Sequence, residues 1–560
     1  MVQQCSVADE NVEANVLPAA RSPRASQPAA RTSEPAARAW STAELLAARA
    51  VHVGANVALN YRLAPLHLVR GRAQYLYDAE GAEYLDCVNN VCHVGHCQPE
   101  VAAAACEQLC TLNTNARYLS AHALDYAQRL TATLPPPLRV VFWTNSGSEA
   151  NDLALRLARA HTKRRGLLCV GGAYHGHVTA MVDASPYKFE RESGGQRCVQ
   201  LGPALFDVSL TLHNASSWVR QAAIPDVHSG LYRGDVNDEA LGAAYAGEVL
   251  RQLASFARQE AHEAARRAEL AARRAALAAR PVQPDRRLHS DGSGIGNPED
   301  DEEEALLFEL GDDDGLTAGC GAFFCESILS CGGQVVPPAG YLRAAHAAVR
   351  AAGGVCVADE VQCGFGRVGS HMWGFQLGGP DVVPDIVTMG KPVANGLPCA
   401  LVVTTAEIAA SFAATGEYFN TFGGNPVVAR AALATLAVLQ RDGLQERAAS
   451  TGAVLLSGFA ALQEQYDCIG SVRGVGLMLG LEVLRSRADA ARRPWPEAAS
   501  AIVYAMRARR ILLSADGMAG NIIKLKPPMV FSEDDACRVL RELADVFANL
   551  PVHLAAYDAL

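Results

Sequence analysis

Apolar runs of four or five residues recur from about residue 139, bounded by polar turns and separated by helix-forming stretches. This predicts strands over 139–143, 167–170, 322–325, 355–358, 385–389 and 400–404, with a helix over 148–159. Strands alternating with helices imply a mostly parallel sheet covered by helices on both faces, an α/β fold. Upstream, 74–88 reads as two short strands around the turn Asp78-Ala79-Glu80-Gly81. From about 406, helices mix with short strands such as 476–482, predicting a second, smaller α/β domain.

The pattern divides the chain. Residues 1–38, rich in Ala, Ser, Pro and Arg, form a tail that is either disordered or a targeting signal. Residues 39–110 and 406–560 would build the small domain from both ends of the chain, and 111–405 the large one. Residues 257–318 break the rhythm, with an Ala/Arg/Glu run followed by acidic low-complexity sequence. They read as a solvated insertion.

Composition narrows the class. In 560 residues, hydrophobics make up 50%, charged residues 19%, and net charge is -10. This fits a soluble globular protein and argues against nucleic acid or anionic membrane as main partner. No apolar run is long enough to span a bilayer. The 16 cysteines and the lack of a secretory apolar segment suggest a reducing compartment, mitochondrial or cytoplasmic, rather than secretion. Cys87, Cys92, His93, His96 and Cys97 do not match paired zinc spacings, so no metal is expected.

Three strand ends carry chemistry. Asn145-Ser146-Gly147-Ser148-Glu149-Ala150 joins a strand to a helix, offering a close backbone approach, two hydroxyls and free N–H groups to a phosphate. It could equally be an ordinary helix cap. In Val357-Ala358-Asp359-Glu360-Val361-Gln362, a buried strand runs into two acids. A carboxylate there could keep a pyridine nitrogen protonated, or simply end an exposed strand. In Thr388-Met389-Gly390-Lys391-Pro392, a strand ends in an amine able to form an imine with an aldehyde, or in a surface lysine. Open parallel sheets bind ligands at such ends. A phosphate cradle, a ring-nitrogen acid and an imine lysine are together the requirements of pyridoxal 5'-phosphate.

With these motifs the chain resembles the class III aminotransferases, fold-type I pyridoxal-phosphate enzymes, from about 60 to 555 apart from the insertion. Asn89-Asn90-Val91-Cys92-His93-Val94-Gly95-His96-Cys97, Leu112-Asn113-Thr114-Asn115, Ser185-Pro186-Tyr187-Lys188-Phe189 and Leu513-Ser514-Ala515-Asp516-Gly517 resemble one branch. That branch holds the ethanolamine-phosphate and 5-phosphohydroxy-lysine phospho-lyases. The resemblance implies that Lys391 holds the cofactor aldehyde and Asp359 pairs with its ring nitrogen. Val361 and Tyr174, followed by His175, would sandwich the ring, and Gln362 would bond its hydroxyl. Ser146, Gly147 and Ser148 would hold the phosphate. Glu326 would line the substrate side. Thr421 would reach the phosphate of a neighbouring subunit, implying a homodimer with shared sites. Gln98, Ala394 and Leu397 depart from the branch pattern.

The implied reaction expels phosphate from a phosphorylated small amine. Its rival is transamination with a keto acid such as pyruvate or glyoxylate, which uses the same cofactor residues. A pseudoenzyme would not need Lys391 and Asp359. The lyase requires a cationic pocket, for which Arg117, Lys188 and Lys526 are the basic candidates.

Overall fold

The computed structural model describes residues 40–190, 192–193, 196–197, 218–278 and 315–560. The chain divides into two compact units, Met1–Leu66 and His67–Leu560. In the first, the described residues hold a helix, Thr42–His52, opened by a reciprocal cap between Ser41 and Glu44. The tail 1–38 lies outside the described residues.

The second unit is built around a seven-stranded sheet: β1 (Val140–Thr144), β2 (Arg164–Val170), β3 (Val219–Ala222), β4 (Thr317–Glu326), β5 (Val355–Asp359), β6 (Ile386–Met389) and β7 (Ala400–Thr404). Their order is β1-β7-β6-β5-β4-β2-β3. All neighbours run parallel except β7, which is antiparallel to both β1 and β6. Alternate residues feed two cores. Cys169, Phe324 and Val357 pack with Leu153 and Leu157 of helix α1 (Gly147–Thr162). Leu168, Phe323 and Cys356 pack on the other face with Val249 and Phe256 of α2 (Glu239–Ala278) and Val349 of α3 (Tyr341–Ala351). Burial on both faces explains why these strands read as unbroken apolar runs.

Two smaller sheets flank this one. Strands Leu68–Arg72, Tyr75–Asp78 and Glu83–Asp86 are joined by Ile511–Leu512, which runs parallel to the third. The sequence pattern predicts only the second and third of these. In the other sheet, Ile469–Val475 and Met478–Val483 form a hairpin. The strand expected from 476 thus begins later, because Gly474 and Gly476 adopt positive φ and turn the chain.

The expected insertion 257–318 needs correction at both limits. Residue 257 falls inside α2, and 317–318 open β4. Beyond residue 257 the helix is tied to the sheet. Gln259 accepts from Arg220 at 2.6 Å, Glu260 bonds Thr317, Glu263 lies 3.5 Å from Arg165, and Leu270 is buried. An Ala/Arg/Glu composition reads the same whether its polar face is solvated or paired. Residues 279–314 lie outside the described residues. No helix among the described residues is long and apolar enough to cross a membrane.

Candidate active site

The sheet register sets the chemistry in a row. Asp359 at the end of β5 lies beside Glu326 at the end of β4 and Thr388 of β6. Lys391 follows two residues after β6, and α1 starts just past β1. Asn145, ahead of α1, gives an amide hydrogen to Asn420 at 2.8 Å, and Asn420 gives one to Glu149 at 2.8 Å. The loop carrying Thr421 is thereby clasped to the helix start.

Asp359 is buried and held in place. Its Oδ2 accepts from Asn151 Nδ2 and pairs with His175 Nδ1, each at 2.8 Å. Its Oδ1 accepts from the Val361 N–H at 3.1 Å. Asn151 also donates to the His175 carbonyl and accepts from the Thr388 hydroxyl. Its amide therefore ties α1, β5 and β6 together. The adjacent acid has a different task, since Glu360 accepts from the Gly374 and Phe375 N–H groups, both at 2.8 Å. Of the two strand-end acids, one faces the site and the other fastens a loop.

Glycine at 147 is a packing requirement. A Cβ there would lie 2.8 and 2.9 Å from the Val361 methyls, and one at Gly390 would lie 3.0 Å from the same side chain. Val361 thus sits between the helix start and the loop of Lys391. Gly176, at φ +144°, brings its backbone against Ser148, where a Cβ would lie 2.8 Å from Cα. The Ser148 hydroxyl accepts from the His177 N–H at 3.0 Å. Ser146 caps α1 by accepting from the Glu149 N–H. The first N–H groups of α1 have no carbonyl of their own helix to bond. Tyr174 is half-buried, with the Lys188 ammonium 5.2 Å from its ring centre.

Glu326 is buried, accepting from the Tyr174 N–H and the Ser330 N–H, each at 3.1 Å. Burial, and then the neighbouring Asp359 charge, raise its pKa from 4.5 to about 7. The fold therefore favours the protonated acid. This stabilisation is complete below the unfolded value and is lost as pH rises through about 7. Glu326→Gln should have a melting temperature that falls less than the wild type's between about pH 5 and pH 8. Parallel melting curves would count against the shift.

Around these groups sit residues drawn from distant parts of the chain. Gln362 Oε1 accepts from Asn90 Nδ2 and from Lys526 Nζ, both at 3.1 Å. Burial, and then repulsion from Lys524 and Lys391, lower the Lys526 pKa to about 7. Lys524 pairs with Asp516, which also accepts from the Tyr187 hydroxyl. Arg117 is exposed, pairing with Glu417 at 3.0 Å and lying over Phe419. No contact among the described residues joins it to the strand ends of its own chain. Thr421 is also exposed. The sequence reading missed Asn151, although a polar residue amid Ala150, Leu153 and Ala154 of α1 was a usable signal.

The histidines of the 93–96 segment are paired with residues elsewhere in the chain. His93 pairs with the Phe365 carbonyl at 2.7 Å and with Arg367, and burial lowers its pKa to about 3. His96 pairs with Asp86 at 2.7 Å.

An acid held by Asn151, His175 and a backbone N–H, an amine across the row, a helix start and a half-buried tyrosine ring beside them fit a cofactor-dependent α/β enzyme. The chain belongs to the class III aminotransferases, whose sequence profile matches residues 57–203 and 286–547. It is a pyridoxal-phosphate-dependent enzyme. It is 41% identical to alanine–glyoxylate aminotransferase 2-like of Drosophila melanogaster, over 89% of this chain and 85% of that one. It is 35% identical to ethanolamine-phosphate phospho-lyase homolog 1 of Caenorhabditis elegans, over 92% and 96%. Among solved structures, a phospholyase from Arthrobacter in complex with phosphoethanolamine is 34% identical. It aligns with a TM-score of 0.70 over 90% of this chain and 99% of its own.

The residues present fit the cofactor. Asp359 Oδ1 makes one recorded hydrogen bond and has a second lone pair for a ring N–H. Val361 offers an apolar face beside Lys391, and the start of α1 faces the same strand ends.

Proposed function

We propose that this enzyme eliminates phosphate from a small phosphorylated primary amine, O-phosphoethanolamine or 5-phosphohydroxy-lysine, giving an aldehyde, ammonia and phosphate. One observation carries this reading. Two of the phospho-lyase-like segments, 185–189 and 513–517, meet through Tyr187 and Asp516. Lys188 lies over Tyr174 beside that contact. The Arthrobacter and Caenorhabditis relatives support the same chemistry.

Bound at this site, the cofactor supplies an aldehyde for the substrate amine and a ring that takes up electrons. Lys391 holds that aldehyde at rest and then removes the proton next to the substrate nitrogen. Asp359, anchored by Asn151, His175 and the Val361 N–H, keeps the ring nitrogen protonated. Val361 and Tyr174 flank the ring, with His175 fixing the turn after Tyr174. Gln362 bonds the ring hydroxyl, and Ser146, Gly147 and Ser148 hold the cofactor phosphate. Glu326 lines the substrate side, and Lys188 contacts the substrate. Arg117, paired with Glu417, is the second basic candidate for contacting the substrate.

Transamination is the second reading, favoured by the 41% identical relative named as an aminotransferase. One preparation should release phosphate from O-phosphoethanolamine, with little amino transfer to pyruvate or glyoxylate. Lys188→Met should lower kcat/KM for that release about tenfold. Robust alanine formation from pyruvate, with no phosphate released from either phosphoamine, would leave the transaminase.

The enzyme is further proposed to be a homodimer in which Thr421 reaches the cofactor phosphate of the partner subunit. Thr421→Ala should weaken cofactor affinity about three- to tenfold at unchanged oligomeric size. A monomer by light scattering, or unchanged affinity, contradicts this. The human relative at 34% identity is named mitochondrial. Imaging the tagged full-length chain against a mitochondrial marker decides between that compartment and the cytoplasm.

A further inference from the structure

Lys524 and Lys526 stand two residues apart but in different electrostatic circumstances. Lys524 is neutralised by Asp516, whose other carboxylate oxygen accepts from the Tyr187 hydroxyl. Lys526 has no carboxylate within ion-pair distance among the described residues. Its recorded side-chain hydrogen bond goes to Gln362 Oε1 at 3.1 Å. An ammonium has three N–H donors, so two remain for another acceptor. It is also close enough to Lys391 for the two amines to repel. A largely desolvated cation beside a second amine is costly unless an anion joins them.

The backbone under Lys526 is fixed on both sides. Its N–H donates to the Cys87 carbonyl at 2.9 Å. The next carbonyl, of Pro527, accepts from the buried Arg367 at 2.8 Å, and Arg367 also holds the Leu477 carbonyl. The side chain therefore leaves from a rigid point, which lowers the ordering cost of binding an anion. Gln362 links it to Asn90 on the other side.

We propose that Lys526 is the anchor for the substrate's phosphate. This rests on the phospho-lyase reading and assigns that reaction its anion site. When the C–O bond breaks, its electron pair leaves on the phosphate oxygen, while the electrons of the broken C–H bond form the new carbon–carbon double bond. The Lys526 ammonium offsets the charge growing on the departing phosphate. Gln362 ties this contact to the cofactor side, so a bound phosphate and a correctly seated ring reinforce each other.

The test compares wild-type holoenzyme with Lys526→Gln and Lys526→Arg. Phosphate release from O-phosphoethanolamine is followed, with calorimetric titration of inorganic phosphate and cofactor content by absorbance. Lys526→Gln should lower kcat/KM about 10- to 100-fold and weaken inorganic phosphate binding at least about tenfold, with cofactor content unchanged. Lys526→Arg should recover part of both. Wild-type kcat/KM in the Gln variant overturns the assignment, as does loss of cofactor in place of phosphate affinity. If the wild type releases no phosphate, the lyase reading fails by itself. The titration then still judges the anchor: binding that depends on Lys526 keeps the anion site, and equal or absent binding removes it.

Discussion

Replacing Lys391 by alanine should abolish covalent fixation of the cofactor by borohydride and cut turnover at least about a thousandfold, while leaving the fold intact. On the proposed reading, the substitution removes both the amine that holds the aldehyde and the base that moves the proton. Among the described residues no neighbour depends on a hydrogen bond from the Lys391 side chain, and its loss relieves the repulsion felt by Lys526. The variant should therefore melt within a few degrees of the wild type. Peptide mapping after borohydride reduction gives the direct answer. Cofactor still fixed in the alanine variant, or fixed elsewhere in the wild type, would remove Lys391 from its role.

The second large effect is expected at Asp359. In Asp359→Asn the amide oxygen can take the place of Oδ2 and keep its bonds to Asn151 and His175. The amide NH2 then faces the Val361 N–H, two donors meeting where a donor and an acceptor now meet. A ring N–H would find the same mismatch. The variant should retain most of its cofactor but lose about a hundredfold or more in turnover, because an uncharged ring nitrogen is a weak electron sink. Turnover near the wild-type level, at matched cofactor content, would rule out an essential role for Asp359.

These expectations could be framed from the sequence because the strand ends are locally encoded. A run such as Val355–Asp359 has to be buried on both faces, and the charged residue at its end has to face a cleft. The same logic exposed Lys391 after Ile386–Met389 and the helix start at Gly147. The remaining contacts depend on which distant segments fold together. Gln362 and Lys526 are 164 residues apart, and Tyr187 and Asp516 are 329 apart. No local pattern states such pairings. The α2 boundary was misread for a related reason, since partners outside the helix, such as Arg165, Arg220 and Thr317, reveal that its charged face is paired. Asn151 was concealed differently, as an amide on an apolar stripe whose partners lie on two other strands.

The antiparallel strand β7 determines when the active site can come into being. Among the described residues β1, made early in the chain, has only β7 as a neighbour in the sheet, through pairs such as Trp143 with Leu401. On a growing polypeptide the start of α1 therefore has to wait for more than half of the remaining chain before the strand leading into it has a partner. The clasp between Asn145 and Asn420 closes later still. A nascent chain interrupted before residue 400 could still pair β6-β5-β4-β2-β3, with Asp359 and Lys391 at its strand ends, but would leave β1, and with it the lead-in to α1, without a strand partner among the described residues. The last strand of the sheet to be synthesised is thus the one that joins β1 to the strands ending in Asp359 and near Lys391.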